Sequence, residues 1–523
     1  MRSGPTLHPK QRLQGVPSCA NGPLINGILR KRWGWDGFVV SDYDAWSNLV
    51  SPQGFAQNLT AAAAIGINAG MDQEGGGTSA VEQLPAAVAA GATTAEAVAA
   101  SFRRLFAARI RLGMLDPPTN VWYNTVPFDV CASAPHIALA RVAARKGIAM
   151  YKNKPRKQAT LRRDGSSSHH RNSSTVSKPA VAALPLAVGD FAADGSLAVI
   201  GPTADNANNL LGNYATASTS GPAVAVSILQ GLQGWSATAA AAVKATAAAA
   251  APSQPEKANG DTQAEVELAR KRVGKISVAT GCNDVTCNST AGFAAAVSIA
   301  KAAKATVLVL GTRVAGHNRQ DPAGPCLSKV ACEGEGHDRN STAFAGHQYA
   351  LAAALAPVSH GRLICVFVHG GAMALDSLAT DCDAILDAGF PGTQGGNGLA
   401  DVIFGGFSPA GRAAVTWYGG DLNSDLPPYG EMDLYPIPGI SKGITYRHYT
   451  AKPAVAFGEG LSYTQFAYSN LRINASLIGA CDTVGVLVDV ENTGAVDSDE
   501  VSSRRSIPRT LAWVGSCVRF LCE

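Results

Sequence analysis

The chain has 523 residues and a formal net charge of +4, and 46% of its residues are hydrophobic. This length predicts about two to four domains, and the composition is that of a globular protein with enough apolar residues for several cores. The small net charge gives no indication of binding to nucleic acid or to an anionic membrane. The sequence has no run of about 18 apolar residues, so it predicts no transmembrane helix.

A short apolar run near the N-terminus, Phe38–Val40, follows Gly37 and ends on Ser41 and Asp42. A β-branched run bounded in this way predicts a buried strand. A carboxylate at the C-terminal end of a parallel strand lies where α/β folds place their chemistry. Asp42 is therefore a candidate catalytic residue, and the alternative is that it caps the following turn.

Helices and strands alternate around this run. A helix is predicted at 24–33, a helix-to-strand unit at 61–74 and a long helical stretch at 79–113. We interpret residues 1–118 as alternating βα units of a parallel-strand fold.

From Leu184 the sequence again alternates between short strands and helices, which predicts a mainly parallel sheet covered on both faces. The preceding stretch, 154–180, is rich in Lys, Arg and Ser, a composition typical of a disordered insertion. After Asp425 turns and aromatic residues dominate. The strand pattern at 484–490 indicates an all-β module that has fewer residues left than the about 100 of a complete sandwich.

The eleven cysteines include two close pairs, Cys282/Cys287 and Cys326/Cys332. In an oxidising compartment each pair can close a small loop, and the alternative is buried, reduced thiols. Five N-x-S/T sequons also favour a secreted protein. They begin at Asn58, Asn172, Asn288, Asn340 and Asn474.

The sequence gives no indication of a metal ion or other cofactor. It has no C-x-x-C pair, and histidine is sparse near its cysteines. The turn at Gly201-Pro202-Thr203 does not match a dinucleotide-binding G-x-G-x-x-G pattern, and no phosphate-binding G-x-x-x-x-G-K-[ST] loop occurs. We therefore expect no cofactor and no metal.

Six stretches resemble, in the same order, motifs of glycoside hydrolase family 3, most closely its plant-type β-xylosidase/α-L-arabinofuranosidase branch. The first is similar to the family's nucleophile strand, and the second to the helix that closes its barrel. The stretches are 33–42; 104–117; 197–202 with 211–214; 333–339; 390–396 with 400–405 and 409–412; and 445–447 with 457–463.

The resemblance implies an α/β fold that begins with the C-terminal remnant of a TIM-like (β/α) barrel. An α/β sandwich domain with a mainly parallel sheet follows, and then an incomplete fibronectin-III-like β module. A complete barrel needs about 250 residues, so we expect most barrel strands and a signal peptide to lie N-terminal to Met1; a genuine short paralogue is the alternative. The predicted boundaries are 1–118 for the partial barrel, 119–183 for a linker that contains a helix at 138–152 and the insertion, 184–425 for the sandwich domain, 426–465 for a connecting segment and 466–523 for the truncated β module.

By matching position, the resemblance implies that Asp42 is the nucleophile of a retaining glycosidase. In that mechanism a second carboxyl group about 5 Å away protonates the leaving oxygen, and the matching segment contains Glu333 and Glu335. Alternate side chains of an extended backbone point to opposite faces, so we expect only one of them to enter the site. We favour Glu333 and expect Glu335, with Asp338 and Arg339, to anchor the loop.

Other residues near the predicted strand ends are candidates for substrate binding. Tyr43 is expected to flank the sugar as a stacking surface, with a place in the core as the alternative. Met71 and Asp72 are expected to line the same strand-end face, whereas Glu74 is expected to cap a helix.

The resemblance implies a retaining, exo-acting glycoside hydrolase that removes terminal β-linked xylose, or arabinose or glucose, by double displacement. The expected partner is an oligosaccharide or cell-wall polysaccharide, without nucleic acid or membrane, and the oligomeric state stays open. The expected localisation is extracellular. The alternative is a catalytically inactive relative that binds carbohydrate or has a structural role.

Overall fold

A computed structural model describes most of the chain, and its residues separate into two compact units. The N-terminal unit comprises residues 1–130 and the C-terminal unit residues 131–523. The described residues are 6–7, 12–13, 15–77, 79–154, 182–187, 191, 196–214, 225–235, 275–315, 326, 328–419, 426, 433–473, 483–501 and 519–521.

The N-terminal unit contains a small parallel sheet. The strands of this unit are β1 (Thr6–Leu7), β2 (Arg12–Leu13), β3 (Val16–Pro17), β4 (Val40–Tyr43) and β5 (Gln73–Gly75). Among the described residues, β1, β4 and β5 form a parallel sheet with β4 in the centre, and β2 and β3 form a separate antiparallel pair. Its helices are a π-type helix (Pro23–Arg32), α1 (Leu59–Ala69), α2 (Leu84–Ala89) and α3 (Ala95–Arg111).

Local sequence signals determine where α1 begins and ends. The side chain of Asn58 accepts a hydrogen bond from Ala61 N at 2.9 Å and caps the first turn. Gly70, at φ +100°, adopts the left-handed conformation that ends the helix. In between, Gly66 lies against the buried ring of Trp46, where an added Cβ would approach to 2.9 Å. This close approach brings α1 onto the core of the unit.

The C-terminal unit is organised around a larger sheet. Its helices are α4 (Ala134–Gly147), α5 (Ile228–Gly234), α6 (Phe293–Ala302), α7 (Gln348–Leu355), α8 (Leu378–Asp381), α9 (Gly395–Ile403) and α10 (Thr445–His448). Its strands are β6 (Ala149–Asn153), β7 (Ser196–Ile200), β8 (Lys275–Ala279), β9 (Ala305–Gly311), β10 (Arg313–Val314), β11 (Cys332–Glu333), β12 (Leu363–Val368), β13 (Ala384–Asp387), β14 (Phe466–Ile473), β15 (Thr483–Asn492) and β16 (Arg519–Leu521).

Six of the described strands form one sheet in the order β6-β13-β12-β9-β7-β8. Every neighbouring pair is parallel except β13 and β6, which are antiparallel. In β9, Val307 and Val309 pack into one core cluster with residues of α5 and α9, whereas Leu308 and Leu310 pack into a second cluster with residues of α6 and α7. The prediction of a mainly parallel sheet covered on both faces is confirmed.

The linker predicted over 119–183 contains two elements of this sheet domain, α4 and β6. The helix predicted at 138–152 ends at Gly147, and Ala149–Asn153 instead form the edge strand of the sheet. A short apolar run does not distinguish a helix from a strand by its periodicity. Here the pairing with β13 determines the outcome.

The chain returns to the edge strand after the segment predicted as an insertion. Ala183 N donates a hydrogen bond to the carbonyl oxygen of Lys154 at 3.0 Å, and Leu184 N donates to Asn153 Oδ1 at 2.9 Å. The insertion itself, except Lys154, lies outside the described residues.

At the C-terminal end of the chain, β14 and β15 form an antiparallel pair, and β16 pairs in parallel with β15. Residues 502–518, 522 and 523 lie outside the described residues. No helix in the described part of the chain is long and apolar enough to cross a membrane.

The described residues contain three disulfides, Cys282–Cys287, Cys326–Cys332 and Cys365–Cys382. The first two are the close pairs for which the sequence allowed small loops. The third joins β12 to the residue after α8, and its sequence separation of 17 gave no such indication.

Candidate active site

Asp42 lies near the C-terminal end of β4, the central strand of the N-terminal sheet. Its partly buried carboxylate accepts a hydrogen bond from the backbone N–H of Tyr43 at 2.7 Å through Oδ1. The preceding Ser41 fixes the strand, because its hydroxyl accepts a hydrogen bond from Gly75 N on β5 at 3.0 Å. Asp42 therefore lies at the carboxyl-terminal end of a parallel strand, which is where α/β folds place reacting groups.

A second carboxylate, Asp72, holds this sheet together from inside. Its side chain is buried and binds the guanidinium groups of Arg30 and Arg104, the latter at 2.7 Å. It also accepts a hydrogen bond from Val39 N at 2.8 Å, directly before β4. Asp72 therefore acts as a structural ion-pair centre and does not line the strand-end face as expected, because a buried carboxylate requires cationic partners.

Met71 and Tyr43, both expected to contact substrate, lie in different environments. Met71 is completely buried in the hydrophobic cluster that contains Trp46, so its side chain presents no surface to a ligand. Tyr43 is 72% exposed. Its ring lies over Gly76, where an added Cβ would approach to 2.3 Å. Tyr43 therefore lies at the surface and not in the core, which was the alternative for this residue.

Glu74 caps a short 3-10 turn as predicted, since its Oε2 accepts a hydrogen bond from Val81 N at 2.9 Å. Burial raises the pKa of Glu74 above its usual value. The buried Cys19 lies near Asp42 and Glu74, and both carboxylates affect the pKa of its thiol. Burial, followed by the charges of Asp42 and Glu74, raises the pKa of its thiol to about 12.

Glu333 ends β11 in the C-terminal unit, and four donors saturate its carboxylate. Thr312 donates through its hydroxyl, Gly370 N and Gly371 N donate at 2.6 and 2.9 Å, and Arg339 Nε donates at 3.1 Å. Burial alone would raise the pKa of Glu333, but the Arg339 charge and these hydrogen bonds outweigh it and hold the pKa below its usual value. Glu333 is therefore a fixed, ionised group.

Arg339 extends this anchor to the neighbouring strand end. Its side chain is 8% exposed and forms the ion pair with Glu333. It also donates to the carbonyl oxygens of Ser341 at 3.1 Å and Ala372 at 2.9 Å. The segment between Glu333 and Arg339 is thus tied at both ends.

Glu335 lies within this tied segment and is exposed. Its backbone N–H donates to Asn213 Oδ1 at 3.1 Å, which positions the turn. Glu335 and Glu333 both line a cavity of about 530 Å³, together with Asn213, Phe390 and Tyr418. The two glutamates line one cavity but differ in their contacts, and the anchoring contacts expected of Glu335 are made by Glu333.

Sequence reasoning did not single out Gly370 and Gly371. An added Cβ would lie 3.1 Å from Glu333 Cδ at the first glycine and 3.0 Å from Arg339 Nη2 at the second. Two glycines one residue after a buried strand were the available signal, because such residues allow close approach of another group. Among the described residues, no group of three or more His, Cys, Asp or Glu could hold a metal ion.

Comparisons with known proteins agree with these observations. Beta-xylosidase/alpha-L-arabinofuranosidase 2 of Medicago sativa subsp. varia is 31% identical over 88% of this chain and 48% of the relative. Beta-D-xylosidase 1 of Arabidopsis thaliana is 28% identical over 90% of this chain and 50% of the relative. The chain thus spans about half the length of the curated relatives it matches.

A solved structure, the GH3 exo-beta-xylosidase XlnD in complex with a xylobiose aziridine activity based probe, superposes with a TM-score of 0.62 at 27% identity. The match covers 87% of this chain and 48% of the XlnD chain. Residues 9–108 match the glycosyl hydrolase family 3 N terminal domain, and residues 178–463, more than half of the chain, match the glycosyl hydrolase family 3 C-terminal domain. The chain therefore belongs to glycoside hydrolase family 3.

Proposed function

We propose that this chain acts as a retaining, exo-acting glycoside hydrolase on terminal β-linked xylose, with arabinose or glucose as the alternative sugar. The xylosidase names of the relatives support this substrate class, as does the xylobiose-based probe bound to XlnD. The observation that carries the proposal is the contrast between Glu333 and Glu335. Both carboxylates line the same cavity, but Glu333 accepts four hydrogen bonds, whereas Glu335 is exposed.

In this proposal Asp42 attacks the anomeric carbon and forms a glycosyl-enzyme intermediate. Glu335 protonates the departing oxygen and then removes a proton from the water that releases the sugar. An acid must hold its proton until the bond breaks. Glu333 is unsuited to that task, because its hydrogen bonds stabilise the ionised form.

We also propose that β1, β4 and β5 are strands of a TIM-like barrel over 1–118, and that β14–β16 belong to a fibronectin-III-like module over 466–523. The parallel pairing around β4 and the antiparallel pairing of β14 with β15 support these assignments. Between them we propose 426–465 as a connecting segment after the sandwich domain. Three disulfides support an extracellular location.

The proposal is tested by trapping the intermediate. The full chain is incubated with 4-nitrophenyl β-D-xyloside to measure turnover and with an activated 2-deoxy-2-fluoro-xyloside to slow release of the sugar. We expect turnover and a covalent adduct on the peptide that contains Asp42, located by mass spectrometry. Asp42→Asn is expected to lose both.

The matched control is Asp36→Asn, because Asp36 is 79% exposed in its side chain and lies in the same unit. It is expected to keep both turnover and adduct. A folded, unmodified chain without turnover and without adduct contradicts the proposal. Parallel assays with arabinofuranoside and glucoside substrates rank the sugars.

A further inference from the structure

Three polar side chains meet inside the C-terminal unit, at the carboxyl ends of β12 and β13. His369 follows the last residue of β12, and its Nε2 lies 3.0 Å from Oδ1 of Asp387, the last residue of β13. Tyr151 of β6 donates its hydroxyl hydrogen to the other carboxylate oxygen. His369 is 4% exposed. The imidazole and the carboxylate are therefore in ion-pair contact, although neither ring nitrogen of His369 forms a hydrogen bond among the described residues.

The carboxylate of Asp387 is held in its ionised form. Burial alone would raise its pKa, but the contact with His369, the Tyr151 hydroxyl and Gly389 N, which donates at 3.0 Å, together hold the pKa below the usual value. Burial and the neighbouring Asp387 also raise the pKa of Tyr151, so its hydroxyl keeps the proton that it donates. Asp387 is thus a fixed negative partner for the imidazole.

Packing fixes the orientation of the imidazole as well. The His369 ring stands edge-on to Trp417, with centroids 5.1 Å apart and an interplanar angle of 81°. Tyr151 contacts the same indole at 5.2 Å and 76°. The backbone N–H of His369 donates to the carbonyl oxygen of Gly389 at 3.2 Å. Side chain and backbone of His369 are therefore both attached to the end of β13.

The two residues that follow His369 are Gly370 and Gly371, whose N–H groups bind Glu333. Neither glycine has a side chain that could set its own orientation. The N–H of Gly370 lies in the peptide plane that begins at the anchored His369, so its direction depends on how that histidine is held, and the N–H of Gly371 follows one residue later. A continuous path of contacts thus joins Asp387 through His369 to the Glu333 anchor.

We propose that His369 and Asp387, supported by Tyr151, are positioning residues for the loop that carries Glu335. They direct the N–H groups of Gly370 and Gly371 onto Glu333, and this fixes the turn at the cavity. The catalytic consequence rests on the function proposed above for Glu335, whereas the positioning itself is a property of the fold.

Hydrogen exchange of the full chain tests the positioning without requiring activity. We expect His369→Leu to speed exchange of the Gly370 and Gly371 amides on the order of tenfold. His369→Gln is expected to restore protection, because its side-chain amide supplies a donor toward Asp387. His347→Gln changes an exposed histidine and is expected to leave these amides unchanged.

Two results would overturn the proposal. One is unchanged exchange of both glycine amides in His369→Leu, and the other is an equal increase in His369→Gln, which would show that ring packing alone matters. If His369→Leu does not fold, Asp387→Asn tests the same contact. Faster exchange at Gly370 and Gly371 supports the proposal, and unchanged exchange contradicts it.

Turnover provides the second readout. If the loop that carries Glu335 is less well positioned, protonation of the leaving group becomes less efficient. Turnover is then expected to fall more for substrates whose leaving group needs a proton than for substrates whose leaving group departs without one. We expect His369→Leu to lower kcat for a phenyl β-xyloside more than for a 2,4-dinitrophenyl β-xyloside. An equal loss for both overturns the catalytic consequence. An unmodified chain without turnover contradicts the proposed function alone, since the exchange result stands independently.

Discussion

Glu333 and Arg339 form an ion pair of 3.1 Å that closes the loop on which Glu335 is exposed. The carboxylate that looks most available in the sequence is therefore part of the scaffold. Its neighbour two residues later has the freedom that an acid and base requires. This arrangement can be tested by changing each glutamate separately.

Glu333→Gln is expected to lower the free energy of unfolding by about 2–4 kcal/mol, because it leaves the buried guanidinium of Arg339 without its charged partner. Glu335→Gln is expected to change it by less than about 0.5 kcal/mol, since Glu335 is exposed. Urea unfolding of both variants measures the difference. Equal destabilisation by the two changes would contradict the assigned roles.

The proposed acid role of Glu335 predicts that turnover depends on its carboxylate. Glu335→Gln is expected to lower kcat for a phenyl β-xyloside by about 10²–10⁴-fold, the usual contribution of general acid–base catalysis. The loss is expected to be smaller for a 2,4-dinitrophenyl leaving group. Steady-state kinetics on both substrates provides the measurement, and a loss that is independent of the leaving group would exclude Glu335 as the acid.

The lowered pKa of Glu333 makes stability depend on pH in a defined direction. Because the folded-state pKa lies below the usual value of a glutamate, the unfolded chain binds more protons than the folded chain as pH falls through this region. The contribution of Glu333 is therefore complete well above the usual pKa of a glutamate, about 4.3, and is lost as pH falls through the folded pKa. Urea midpoints measured from about pH 6 to pH 3 are expected to fall less steeply in Glu333→Gln. Asp387, whose pKa is also lowered, leaves a residual slope.

Asp72 offers a test of the N-terminal unit. Asp72→Ala is expected to cost about 3–5 kcal/mol, because it leaves Arg30 and Arg104 without their shared partner. Asp36→Ala is the matched control, since the exposed pair of Asp36 with Arg111 at 3.6 Å contributes less than about 1 kcal/mol. Hydrogen exchange of α1 and β5 locates the loss. Similar stability of the two variants would show that the ion-pair centre is dispensable.

Cysteine labelling tests the environment of Asp42. The thiol of Cys19 is buried with a pKa of about 12, whereas Cys131 is exposed. Since the thiolate is the reactive form, N-ethylmaleimide at neutral pH is expected to modify Cys131 and to leave Cys19 unmodified in the folded chain. Peptide mapping by mass spectrometry identifies the sites. Rapid labelling of Cys19 would contradict the packing around the candidate nucleophile.

The sequence predicted those parts of the fold that depend on local pattern. Strands β9, β12 and β13 are short apolar runs, and the parallel sheet follows from their alternation with helices. The edge strand β6 was not predicted, because only its pairing with β13 distinguishes it from the end of a helix. Disulfide Cys365–Cys382 likewise depends on two segments that meet only in the folded sheet.

At the candidate site, the sequence predicted which segments matter but not the role of each side chain. The spacing of Glu333 and Glu335 indicates that they point to different faces. It does not indicate which face meets Gly370 and Gly371, since those donors come from another strand end. The burial of Met71 and the pairing of Asp72 also depend on distant residues.

The hydrogen bond between Ala183 and Lys154 changes how the segment between them is regarded. The chain leaves β6 and returns to it within 3.0 Å, so the segment connects two points of one domain and does not separate two domains. The free energy of closing a loop between fixed ends depends only weakly on the length of the loop. Residues 155–181 can therefore be exchanged for a short Gly/Ser bridge, or can carry a fused reporter, whereas a fragment cut at the predicted boundary of 184 would lose β6 and expose the unpaired edge of β13.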